Sequence, residues 1–132
     1  MKRITILFIL LVSTVMFSSP SYAEWRIVSP PGSKNIFHLD FDSIRKVDGY
    51  VYFWVMLNLL EPTKLGTLSV VSYKKGDCKL LRYQDLTVYF HTEPMGKGTG
   101  TNLKPPIKWT ASPPNTPAES YLKLACALAK LK

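Results

Sequence analysis

The longest predicted strand, residues 50–60, is apolar on both sides of its pleat, with mainly aliphatic and mainly aromatic side chains following the two-residue period of a β-strand. Asp48 and Gly49 stand directly before it and predict a tight hairpin turn, because both tolerate positive φ. Two shorter strands are predicted at residues 24–29 and 35–40, separated by a turn-rich Pro-Pro-Gly-Ser segment. The first half of the chain therefore predicts antiparallel β structure.

Further strands are predicted at residues 68–73 and 79–91, and the intervening Lys75–Asp77 segment fits either a tight turn or a bulge. A short helical turn is expected at residues 42–45, with Asp42 as its cap. Glycine and proline dominate residues 92–106 and predict a loop, after which residues 107–109 form a last short strand.

The clearest local signal marks a C-terminal helix. Thr116 is the expected N-cap, Pro117 suits the first helical position, and Glu119 completes a capping box. The helix is predicted from Pro117 to about residue 131. Its inward stripe comprises Tyr121, Leu122, Ala125, Cys126, Leu128 and Ala129. Together these elements predict an α+β fold: an antiparallel sheet of about six strands with the helix packed on one face.

The two faces of the longest predicted strand differ in chemistry. One carries aliphatic residues suited to a dry core, and the other carries aromatic rings with polar tips, which suit a partly covered surface. One helix can cover only one face, so the other is solvated, paired with another subunit or used for a partner. The candidate partner-binding residues are Tyr50, Tyr52, Trp54, Tyr83, Tyr89 and the loop lysine Lys64.

The chain begins with the features of an export signal. Lys2 and Arg3 precede an apolar run at residues 4–17, and the small residues Ser21 and Ala23 predict cleavage between Ala23 and Glu24. A retained N-terminal anchor helix is the alternative interpretation. No cysteine stands near the cut, so a lipoprotein is not expected. Residues 24–132 then form one exported domain, located in the periplasm, secreted or at the cell surface.

Two cysteines, Cys78 and Cys126, are present in this exported chain. The simplest expectation in an oxidising compartment is a single disulfide between them. Cys78 follows a strand and Cys126 belongs to the helix stripe, so the bond is predicted to tie the helix to the sheet. A catalytic thiol is disfavoured because export oxidises thiols.

Lysine and arginine number 17 against 9 acidic residues, giving a net charge of +8. These cations are scattered, so no nucleic-acid patch is predicted. The Gly-Lys-Gly-Thr-Gly segment at 96–100 lacks P-loop spacing, and His38, Asp40 and Asp42 suit a strand edge with a cap better than a metal site. No nucleophile elbow or carboxylate pair stands out. An enzyme, a cofactor and a metal are therefore not expected.

Several motifs resemble the surface-adhesin protein E family of Gram-negative bacteria. The most specific are the Ser-Val-x-x-Tyr-Lys-x-x-x-Cys run at 69–78 and the cysteine-bearing helix entered at 113–126. Supporting matches are Met-Gly-Lys-Gly at 95–98, Trp109, the opening at 25–28, His-Leu-Asp at 38–40 and Ser-Ile-Arg at 43–45.

The resemblance implies an antiparallel sheet with a C-terminal helix held against it by a disulfide. It also implies adhesion, with an extracellular-matrix or envelope protein as partner. The leading hypothesis is an exported, non-enzymatic protein-binding module without a transmembrane segment after cleavage. The alternatives are a periplasmic accessory protein acting through subunit contacts, including a homodimer, and a small-ligand carrier using the aromatic face with His38 or His91.

Overall fold

The computed structural model describes residues 23–132, so most of the predicted export signal lies outside the described residues. Within these described residues the fold has eight strands and one α-helix, which confirms the predicted α+β class. The elements are β1 (Trp25–Ile27), β2 (Ile36–Asp40), β3 (Arg45–Val47), β4 (Tyr50–Asn58), β5 (Ser69–Asp77), β6 (Arg82–His91), β7 (Gly100–Leu103), β8 (Thr110–Ala111) and α1 (Pro117–Ala129).

All eight strands belong to one antiparallel sheet with the order β1-β2-β4-β5-β6-β7. β2 and β3 pair with opposite ends of β4, on either side of a short 3-10 helix at Phe41–Ser43. β7 and β8 likewise share β6. Asp48 and Gly49 have φ of 51° and 82°, which confirms the predicted β3–β4 hairpin turn.

The core lies between α1 and the aliphatic face of β4. Val51, Phe53 and Val55 are at most 2% exposed and pack with Leu122 and Ala125 of the helix. Gly76 of β5 permits this approach, because a Cβ there would lie 2.4 Å from the Leu122 side chain. The helix therefore covers the face that the sequence predicts to be dry.

The predicted disulfide between Cys78 and Cys126 is confirmed, with the two Cα atoms 5.9 Å apart. Cys78 lies in the turn between β5 and β6. The Asp77 carboxylate organises this turn by accepting hydrogen bonds from the backbone nitrogens of Lys79 and Leu80, at 3.0 and 3.3 Å. Helix and sheet are thus joined at a turn that is itself fixed by hydrogen bonds.

The helix starts where the sequence predicts. Thr116 is the N-cap, and its hydroxyl accepts a hydrogen bond from the Glu119 backbone nitrogen at 3.3 Å. The Glu119 carboxylate lies 3.4 Å from Lys123 Nζ, one turn further along the helix. The helix ends at Ala129, two residues before the predicted end.

Two local predictions are wrong because the backbone hydrogen bonds at these positions differ from the predicted ones. The helical turn at 42–45 is instead the 3-10 helix Phe41–Ser43, and its cap is Asp40, which accepts from the Asp42 nitrogen at 3.1 Å. β5 continues through Lys75–Asp77, so the turn into β6 lies at residues 78–81.

The segment after β6 also differs from its prediction. β7 forms within the predicted loop, and residues 107–109 are not a strand, since β8 begins at Thr110. Gly100 lies against the His91 ring, where a Cβ would approach to 2.7 Å. In the sequence Gly100 predicts a loop, but in the structure it allows an edge strand to pair closely with β6.

Candidate functional site

A β-bulge in β6 decides which tyrosines share a face. Tyr73 pairs with Thr87 and Lys74 with Asp85, so Leu86 is skipped in the pairing. Side-chain alternation places Tyr83 and Tyr89 on one face if the strand is regular, and the extra residue places them on opposite faces. Tyr89 lies beside Trp54, with ring centroids 6.3 Å apart, whereas Tyr83 lies beside the buried Tyr121 of α1.

The side of the sheet away from α1 carries a continuous set of rings, which we call the aromatic face. Trp54 packs on Tyr73 with centroids 4.9 Å apart, and Tyr52 lies 6.1 Å from the same ring. Tyr50 stacks on Trp109 at 5.7 Å. All its members are half-buried, so each keeps part of its ring open to solvent. They are Tyr50, Tyr52, Trp54, Tyr73, Tyr89 and Trp109.

Three cationic side chains lie on the aromatic face. The Arg45 guanidinium lies 5.4 Å from the centre of the Tyr52 ring and donates a hydrogen bond to the Tyr73 hydroxyl at 2.9 Å. Lys75 Nζ is 4.2 Å from the Tyr50 ring centre, and the Arg82 guanidinium is 4.4 Å from that of Trp109. These contacts hold positive charge above rings that are partly accessible.

A loop at residues 93–97 closes one end of the aromatic face. The Met95 backbone nitrogen donates to Asn58 Oδ1 at 2.8 Å, and the Gly96 nitrogen donates to Ser69 Oγ at 2.9 Å. Gly96 lies close to Val71, where an added Cβ would be 3.1 Å from the valine side chain. The first part of the predicted loop at residues 92–106 is thus tied to the sheet.

The structure brings together four of the six residues predicted to bind a partner: Tyr50, Tyr52, Trp54 and Tyr89. It separates the other two, since Tyr83 packs with the core and Lys64 lies beside a cleft on the helix side. Sequence reasoning missed Tyr73 and Trp109. The alternation of the predicted strand at 68–73 contained the signal for Tyr73, whereas the position of Trp109 depends on tertiary packing.

Lys74, which is buried, forms an ion pair with the half-buried Asp85 on the helix side of the sheet. Lys74 is 7% exposed, and its Nζ also lies 4.4 Å from the centre of the Tyr83 ring. Burial lowers the pKa of the Lys74 ammonium, and the neighbouring Asp85 carboxylate partly opposes this shift. Burial also raises the pKa of the Tyr121 hydroxyl above its usual range.

The residues weighed for metal binding are engaged in structural contacts. The Asp40 carboxylate accepts hydrogen bonds from the backbone nitrogens of Glu24 and Asp42, at 2.9 and 3.1 Å. His38 is 8% exposed, and burial lowers its pKa. Within residues 23–132, no group of three histidine, cysteine or acidic side chains is placed to hold a metal ion.

The part of the chain that the structure describes contains no helix long and apolar enough to span a membrane.

Comparison with known proteins gives two kinds of match. The family model for surface-adhesin protein E matches residues 25–127. Two structures of Haemophilus influenzae protein E are similar to this fold. Crystal form II has 19% identity and a TM-score of 0.62, and a second structure has 20% identity and a TM-score of 0.61. Each match covers 86% of this chain and 94% of the other.

Protein E from non-typeable Haemophilus influenzae is also similar, at 18% identity with a TM-score of 0.51, covering 88% of this chain and 96% of that one. No curated protein matches the sequence. The structural matches have low identity and support the fold, whereas the family match spans most of the chain. The chain therefore belongs to the surface-adhesin protein E family.

Proposed function

We propose that this protein is an exported, non-enzymatic protein-binding module and that the aromatic face is its contact surface. The observation that carries the proposal is the set of half-buried rings overlaid by Arg45, Lys75 and Arg82. Tyrosine, tryptophan and arginine are the residues that contribute most binding energy at protein interfaces. The family's description as a surface adhesin supports the same class of function.

The charge of the aromatic face favours an acidic partner. Arg45 and Lys75 make no ion pair within residues 23–132, so their charges are available to carboxylates of another protein. Arg82 is bonded to Asp77, with Nε 3.1 Å from the carboxylate oxygen. The partner class that fits is an extracellular-matrix or envelope protein with an acidic patch bearing apolar side chains.

Combined replacement of Tyr52 and Trp54 with alanine is expected to weaken partner binding at least tenfold, because both rings lie near the centre of the aromatic face. The partner is first isolated by pull-down with wild-type protein and identified by mass spectrometry. Its dissociation constant is then measured with the purified components. The matched control replaces Leu65 and Leu131, which are 93% and 83% exposed away from this face, and should bind normally.

Equal affinity of the double variant and wild type, with an unchanged unfolding midpoint, would contradict the proposal. A second contradictory outcome is a wild-type dimer that the double variant converts to a monomer without any heterologous partner. The aromatic face is then a subunit contact, as in the periplasmic accessory alternative. Labelling of intact cells distinguishes surface display, which adhesion requires, from confinement to the periplasm.

Export is proposed to end with cleavage between Ala23 and Glu24. The Glu24 backbone nitrogen lies 2.9 Å from the carboxylate of Asp40, which is 6% exposed. Cleavage would convert this amide into an ammonium group and the hydrogen bond into a charge-assisted one. Intact-mass measurement of the exported protein is expected to give residues 24–132. A mass that retains residues 1–23, or that includes an added lipid, would contradict this prediction.

A further inference from the structure

The helix covers only part of its side of the sheet. Val70, Phe90 and Leu103 of β5, β6 and β7 continue the same face beyond α1, and a cleft of about 670 Å³ lies over them. Carbon atoms make most of its lining. This volume lies within the 300–1,000 Å³ typical of small-ligand sites.

A preformed turn builds one wall of the cleft. The Gly66 nitrogen donates to the Thr63 carbonyl at 2.9 Å, and the Thr63 nitrogen donates to the Thr67 carbonyl at 3.0 Å. The Thr67 nitrogen also donates to Thr63 Oγ1 at 3.1 Å. These bonds hold Leu65 at the edge of the cleft, where it is 93% exposed. A ligand therefore meets a wall whose backbone is already ordered.

A smaller hollow adjoins the cleft along the sheet. This hollow has a volume of about 150 Å³, shares Val70 with the cleft, and passes Leu57 and Val88. It ends at Lys74 and Asp85, whose charges are paired with each other. The lining of both spaces is mostly carbon, and the charged groups at the inner end of the hollow are already paired. Two adjoining apolar spaces fit an unbranched hydrocarbon chain that enters from the cleft.

The mouth of the cleft carries positive charge. Among the described residues that line the 670 Å³ cleft, Lys64 is the one lysine or arginine, and none is acidic. Lys64 is exposed and makes no ion pair within residues 23–132. The Thr63 hydroxyl next to it adds a hydrogen-bonding group. An anionic headgroup at this mouth would meet a cation without displacing an existing partner.

We propose that the cleft binds a long-chain carboxylate, with its hydrocarbon chain along Val70 and Phe90 and its headgroup beside Lys64. The site lies on the opposite side of the sheet from the aromatic face. It is therefore independent of the proposed protein-binding function. It also differs in position from a carrier site on the aromatic face with His38, although His91 is among the residues that line the cleft. An adhesion-deficient aromatic-face variant should bind the carboxylate as wild type does.

The test uses protein purified after export and stripped of bound lipid, with displacement of a fluorescent long-chain fatty acid as the measurement. Palmitate is expected to displace the probe, and hexadecanol, which has the same chain without the charge, is expected to bind at least tenfold more weakly. Lys64→Glu should weaken palmitate binding about tenfold, because attraction at the mouth becomes repulsion. Lys46→Glu, at an exposed position on β3, is the matched control and should bind normally.

A cavity-filling variant tests the hydrocarbon part of the site. Thr101 is exposed on β7, pairs with Phe90 and lines the cleft, so Thr101→Phe fills the space with a residue suited to strands. It should abolish displacement while leaving the urea midpoint unchanged. Absence of palmitate binding to wild type would overturn the proposal. So would equal affinity for hexadecanol, equal weakening by Lys64→Glu and Lys46→Glu, or full binding by a folded Thr101→Phe variant.

Discussion

Replacement of both Cys78 and Cys126 with alanine is expected to lower the free energy of unfolding by about 4 kcal/mol. The disulfide closes a loop of 48 residues, and the chain-entropy treatment of such a loop gives a loss of this size. A small domain typically has only about 5–15 kcal/mol of stability, so this change removes a large share. Urea denaturation at neutral pH, followed by tryptophan fluorescence, measures the difference.

The expected mechanism has a structural signature. The bond joins the β5–β6 turn to α1, so its loss should allow the helix to separate before the sheet unfolds. Hydrogen exchange at Leu122 and Ala125 should therefore rise more than exchange within β4. Reduction of wild-type protein with dithiothreitol is the control and should reproduce the variant. An unchanged urea midpoint in both samples would contradict the prediction.

Asp85→Asn is expected to cost about 3 kcal/mol at pH 7, because it leaves the Lys74 ammonium buried without its counter-charge. The side chain of Asp85 is 33% exposed, and solvent at this site keeps the cost at the lower end of the range for broken buried pairs. Chemical denaturation of the variant and wild type measures this difference directly.

The pH dependence of the Asp85→Asn cost identifies its cause. Burial already lowers the pKa of Lys74, and loss of Asp85 should lower it further. A lysine whose pKa is lower in the folded protein than in the unfolded chain destabilises the fold wherever the unfolded chain has it protonated. This destabilisation is full below the folded-state pKa and falls as the pH rises toward 10.5. The difference between variant and wild type should therefore be larger at pH 7 than at pH 10.

Two controls separate burial of charge from other effects of the Asp85 substitution. Asp48→Asn makes the same chemical change in an exposed turn, where asparagine tolerates the positive φ, and should leave stability almost unchanged. The pair Lys74→Met with Asp85→Leu removes both charges and should recover most of the loss. Equal destabilisation by Asp85→Asn and by this double variant would contradict the explanation.

Sequence reasoning succeeded where the determining interactions are local. The Thr116 cap depends on a residue three positions away, and the Asp48-Gly49 turn depends on two adjacent φ values. The disulfide followed from having one pair of cysteines in a chain with export features. In each case the structural outcome requires little knowledge of distant strands.

The missed features depend on contacts between segments far apart in the sequence. Gly100–Leu103 has weak strand propensity, and it becomes β7 because β6 offers an edge for pairing. The face on which Tyr83 lies depends on the pairing of β6 with β5. Alternation of residues along β6 alone does not reveal this pairing. Lys64 could be recognised as an exposed loop lysine, but its cleft is formed by three strands and a turn.

The unpaired residue Leu86 divides β6 into two segments with different side-chain alternation. Before Leu86 the odd-numbered side chains point toward the helix side of the sheet, whereas after it the even-numbered side chains do. Deletion of Leu86 would therefore leave a regular ladder in which Thr87 and Asp85 keep their partners and Tyr83 and Tyr89 keep their faces. A related strand that lacks the bulge should consequently align with a gap at Leu86, and an alignment without that gap would invert the assignment of buried and exposed positions in one half of the strand.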